Sequence, residues 1–103
     1  MTFRDEDILH QGLRRFWISY CLDSSGVSIT WANMLRHALM HLSSAKSLAD
    51  VLREAPGMNV VAPVPGKRWR YYMPLNSWWR LTFKVDRAGH GVVSELSIES
   101  TRR

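Results

Sequence analysis

The spacing of the apolar residues changes once along this chain, and that change limits the folds open to it. Up to Gly57 the spacing is helical. Leu9, Leu13, Phe16, Trp17 and Tyr20 predict a helix over 6–20. Trp31, Met34, Leu35, Ala38, Leu39 and Leu42 form an i, i+3, i+4 stripe that predicts a second helix over 30–42, with Thr30 or Ser28 as its cap. A third, shorter helix is expected in SLADVLREAPG, opened by Ser47 with Asp50 three residues on and closed by Pro56 and Gly57. After Gly57 the period is two.

Four strands are expected from the second half. MNVVAPV is the first, shortened or pushed to an edge by Pro63 and Pro65. RWRYYMPL sets Trp69, Tyr71, Met73 and Leu75 against Arg70, Tyr72 and Pro74. WWRLTFKV sets Trp79, Leu81, Phe83 and Val85 against Arg80, Thr82 and Lys84, with Trp78 adding an aromatic to the polar side. VVSELSIE sets Ser94, Leu96 and Ile98 against Val93, Glu95 and Glu99. Asn76 and Ser77 form one turn and DRAGHG another. Helices followed by hairpin-linked strands give one α+β domain over 1–103, with two or three N-terminal helices packed on a small antiparallel sheet.

What lies on the far side of that sheet is informative. Residues 1–57 balance six Lys or Arg against six Asp or Glu, so the net charge of +5 arises entirely from residues 58–103. The middle strands put Arg70, Tyr72, Trp78, Arg80 and Lys84 on the face away from the helices, and GKRWR adds Lys67 and Arg68 at its entrance. Cations hold phosphate and aromatic rings stack on unpaired bases, so this face fits single-stranded nucleic acid. The competing explanations are a plain basic surface, or aromatics packed under another element or a partner.

Other chemistries find little footing. Cys21 has no partner for an internal disulfide, which fits a reducing compartment. His10, His37, His41 and His90 lack cysteine or carboxylate partners at ligand spacing, and His37 with His41 reads as an ordinary surface pair, so no metal is expected. No apolar run approaches the ~18 residues of a membrane span. The acidic opening MTFRDEDILH differs from the basic, then apolar start of a secretory signal, and a cytoplasmic protein is expected.

Three segments together resemble the HigB-type toxins of the RelE superfamily. HQGLRRFW resembles the family's opening, LSSAKSLADVLREAPGMNVVAPVPGKRW its middle, and PLNSWWRLTF its Trp-Arg strand. The resemblance spans nearly the whole chain. It implies a cytoplasmic toxin that cleaves mRNA in the ribosomal A site without a metal, paired with a helix-turn-helix, HigA-like antitoxin. In that chemistry a nucleotide's 2′-OH attacks the adjacent phosphate and leaves a cyclic phosphate. By this resemblance Arg80 is the catalytic residue at the scissile phosphate, and Lys67, Arg68 and Arg70 hold mRNA or ribosomal RNA. Lys84, Arg102 and Arg103 would add charge, and Trp78 or Tyr72 would stack a base.

The chain also departs from the family pattern. The family's catalytic histidine corresponds to Ala62, and its C-terminal Asp-Tyr-His to Ser100, Thr101 and Arg102. His90, placed in a turn, is a poor substitute. Two alternatives follow: a RelE-like protein that binds RNA, ribosome or antitoxin without cutting, and a gyrase-directed toxin of the related ParE type.

Overall fold

The computed structural model describes residues 3–20, 22–23, 26–27, 31–46, 61–86 and 92–100. A 3₁₀ turn (Asp5–Asp7) leads to helix α1 (Gln11–Ile18) and helix α2 (Ala32–Ser44). Strands β1 (Ala62–Pro63), β2 (Arg70–Pro74), β3 (Trp79–Val85) and β4 (Val93–Ser100) follow. They form one antiparallel sheet in the order β1-β2-β3-β4. The α+β class expected from the change of period is the one observed. Among the described residues no helix is long and apolar enough to cross a membrane. The expected third helix, at 47–57, lies outside the described residues.

The first helix is shorter than its stripe suggests. Ile8 is extended and pairs in parallel with Leu96, and the Leu9 amide donates to the Leu96 carbonyl at 2.7 Å. The chain is thus spent on covering the free edge of β4 before the helix begins. Arg14 fixes this arrangement by donating to the Ile8 carbonyl at 2.8 Å. The helix starts where the imidazole Nδ1 of His10 accepts from the Leu13 amide at 3.0 Å, satisfying one of the orphan donors of the first turn. In consequence Ile8 is in the core, while Leu9 and Tyr20, two members of the expected stripe, are exposed. Tyr20 lies beyond the helix at φ 56°.

The second stripe holds. Trp31, Leu35, Ala38, Leu39 and Leu42 are buried and Met34 packs against them. Trp31 itself occupies the N-cap position and makes no side-chain cap bond. Thr30 and Ser28, the expected caps, lie outside the described residues. Both helices meet one face of the sheet, where Leu13, Phe16, Leu35 and Leu39 join Met73, Leu75, Leu81, Phe83, Leu96 and Ile98 in one core.

Turn chemistry is local and specific. The Asn76 side-chain oxygen accepts from the amides of Trp78 and Trp79 at 2.8 and 2.9 Å, which closes the β2–β3 hairpin. Pro63 sits in a two-residue strand at the β1 end of the sheet, where its missing N–H costs little.

The fourth strand departs from alternation. β3 advances two residues, from Thr82 to Lys84, while β4 advances three, from Ser97 to Ser94. The extra residue forms a β-bulge that includes Glu95 in a left-handed conformation at φ 51°. Val93 therefore faces the core with Leu96 and Ile98, and Ser94 pairs with Lys84 on the opposite face. The sequence-based faces of Val93 and Ser94 are reversed by the bulge.

Gly12 is required by close approach. A Cβ there would run into the backbone of Gly26, which lies against the first turn of α1 and cannot yield as a flexible side chain would. Gly12→Ala gains about 1 kcal/mol of helix propensity but, because backbone and not a side chain must move, incurs an overpacking cost near the upper end of the usual range, about 3 kcal/mol. The collision decides the sign. Thermal unfolding of the variant is expected to show Tm lowered by roughly 5 °C or more. An unchanged or raised Tm would mean that the Gly12–Gly26 contact is not a constraint.

Candidate nucleic-acid face of the sheet

The register of the strands builds this face pair by pair. Arg70 lies opposite Lys84, Tyr72 opposite Thr82, and Pro74 opposite Arg80. Across β3 and β4, Arg80 lies opposite Glu99, Thr82 opposite Ser97, and Lys84 opposite Ser94. Ala62 on β1 lies opposite Tyr72.

Two charged clusters result. At one end the Arg80 guanidinium sits 4.9 Å from the centre of the Tyr72 ring and 3.2 Å from a Glu99 carboxylate oxygen. Its side chain keeps only 23% of its exposure. Its Nε is buried with no hydrogen-bond partner among the described residues. Ring, carboxylate and burial together hold the guanidinium in one orientation, which a free surface arginine lacks. At the other end Glu95 on the bulge reaches Arg70 at 2.9 Å and Lys84 at 3.7 Å. Between the clusters Thr82 is buried, its hydroxyl 3.4 Å from the Ser97 carbonyl. The clusters are separated by the length of β2, about 13 Å for strand geometry.

The expected site residues fall into three groups. Arg70, Tyr72, Arg80 and Lys84 come together on the face, as alternation requires. Lys67 and Arg68 are exposed in the β1–β2 connection, at the Arg70 end. Trp78 is exposed but stands in the β2–β3 turn rather than in the strand, at the Arg80 end. Arg102, Arg103 and His90 lie outside the described residues. Tyr72 has one role already, since its ring carries the Arg80 guanidinium.

Three features have no signal in the sequence. Glu95 and Glu99 enter the basic face as counter-ions. Alternation placed both on the polar side of β4, but only the pairing of β4 with β3 brings them to the cations. Trp79, expected in the core, lies at the rim with 36% exposure and its ring 6.0 Å from that of Trp31. Trp69, expected to point inward with Tyr71, is exposed and has φ 62°.

The chain matches no family model, and no curated protein matches it.

The carboxylates compete with phosphate for the same cations, which predicts an ordering. Glu99→Gln is expected to elute from a heparin column at higher salt than the parent protein. Glu95→Gln is expected to elute later still, because Glu95 neutralises two cations and Glu99 one. Unchanged elution of both variants would mean that this face does not bind polyanions.

Proposed function

We propose that this chain is the toxin of a toxin–antitoxin pair, a HigB-like member of the RelE superfamily that cleaves mRNA on the ribosome in the cytoplasm. A helix-turn-helix antitoxin is its proposed inhibitor. The observation that carries this reading is the Arg80 cluster: a guanidinium fixed by Tyr72 and Glu99 on a sheet face rich in phosphate-binding side chains. The likeness of HQGLRRFW, the Ala-x-Ser-Leu-x-Asp run and the Trp-Arg strand to that family supports it from the sequence.

The chemistry needs no metal. The 2′-oxygen attacks the adjacent phosphorus and the bond to the 5′-oxygen breaks, leaving a cyclic phosphate and a 5′-hydroxyl. Arg80 supplies positive charge where the phosphorane develops its negative charge. Glu99, beside Arg80, takes the proton released by the attacking hydroxyl. The departing 5′-oxygen collects a proton from water. With Ala62 in place of the family's histidine, the carboxylate is the base that the described part of the face offers at this end.

Primer extension on mRNA in programmed ribosomes tests this. Arg80→Ala is expected to lower cleavage about 10²-fold or more. Glu99→Gln is expected to lower it about 10²-fold, although the same change strengthens polyanion binding. Parent protein that makes no cuts would overturn the nuclease assignment.

A second reading has its own support. Arg70, Arg80 and Lys84 are all paired to carboxylates, and the histidine position is Ala62. In that reading the protein binds RNA or the ribosome without cutting. Co-sedimentation with ribosomes in the absence of cleavage products would establish it.

A further inference from the structure

We propose that Trp69 is the stacking platform of a separate subsite for an unpaired nucleotide, at the end of the sheet away from Arg80. The proposal extends the nucleic-acid reading of this face and rests on it. It begins with a conformational cost. Trp69 has φ 62°, a region that a bulky side chain rarely enters. Its neighbours leave it little choice. The Val85 amide donates to the Trp69 carbonyl at 2.8 Å, and the Val64 amide donates to the Arg70 carbonyl at 2.9 Å. The backbone is pinned on both sides of the ring.

The core gains little from this tryptophan. Trp69 is 40% exposed, stands in the turn before β2 and does not belong to the buried cluster that Met73 joins. Glycine would satisfy the turn without strain, as Gly66 does three residues earlier at φ 76°. A strained, part-exposed aromatic that stands outside the core cluster points to a ligand.

The surroundings name the ligand's chemistry. Trp69 borders a cavity of about 430 Å³ that is also lined by Arg68, Lys84, Asp86, Val92 and Ser94. The indole supplies a flat apolar face for a base. Arg68 and Lys84 supply charge for a phosphate, and Ser94 and Asp86 supply polar contacts for sugar or base edges. Lys84 also touches Glu95 at 3.7 Å, so the bulge fixes one wall of this cavity as well as the neighbouring cluster. Base pairing would bury the ring-facing surface of the nucleotide in a stack, so the subsite selects single strands.

The test is fluorescence anisotropy with a short 2′-O-methylated oligoribonucleotide, alone or annealed to its complement. The proteins compared are the parent, Trp69→Gly, Trp69→Phe and Arg80→Ala. Trp69→Gly is expected to weaken single-strand binding about tenfold and to leave duplex binding unchanged. Trp69→Phe is expected to retain most of the affinity, and Arg80→Ala to retain the preference for single strands. Equal affinity of parent and Trp69→Gly for the single strand would overturn the subsite, as would equal losses on single strand and duplex. Parent protein that does not bind the single strand would also overturn it. Arg80-dependent cleavage on ribosomes is scored separately. A Trp69-insensitive protein that still cuts removes the subsite alone, and a Trp69-dependent binder that never cuts removes the nuclease reading alone.

Discussion

The β-bulge at Glu95 is the constraint on which both sides of the sheet depend. A regular β4 would put either Val93 or the pair Leu96 and Ile98 into the core, since Val93 and Leu96 are an odd number of residues apart. The extra residue lets all three face the helices. It also delivers the Glu95 carboxylate to Arg70 and Lys84. The left-handed φ of Glu95 is the local cost, with no glycine present to relieve it.

The N-terminal segment completes the arrangement. Ile8 fills the core beside Leu96 while its backbone occupies the outer side of β4. Helix α1 follows at once because His10 caps it, and Gly12 lets Gly26 lie against that helix. The helices thereby cover one face of the sheet. The other carries Arg80, Tyr72 and Glu99 at one end and Arg70, Lys84 and Glu95 at the other.

Much of this was legible in the residues. The change of period after Gly57 gave the fold class, and Leu81, Phe83 and Val85 against Arg80 and Lys84 gave both faces of the central strand. Asn76 marked its turn. The prolines marked the first strand as short. The misses have physical causes. Strict alternation reverses Val93 and Ser94, because a bulge without glycine leaves no mark in the sequence. Trp69 fits the alternation of a strand, but the hydrogen bonds flanking it hold it in a turn conformation that no local residue pattern announces. Leu9 and Tyr20 fitted a helical stripe, yet edge coverage by Ile8 took the chain first. Glu95 and Glu99 became part of the basic face only through strand pairing, a long-range fact that one strand's sequence does not contain.

The proposed RNA-binding face is the one that bears Arg70, Tyr72, Arg80 and Lys84. Amide chemical-shift mapping by NMR, with a 2′-O-methylated single-stranded oligoribonucleotide as titrant, addresses it directly. Saturable shifts are expected to concentrate on β2, β3 and β4 and on the β1–β2 connection, and to leave α1 and α2 unmoved. Shifts confined to the helical side, around the exposed Ile18, Tyr20 and Met40, would contradict it.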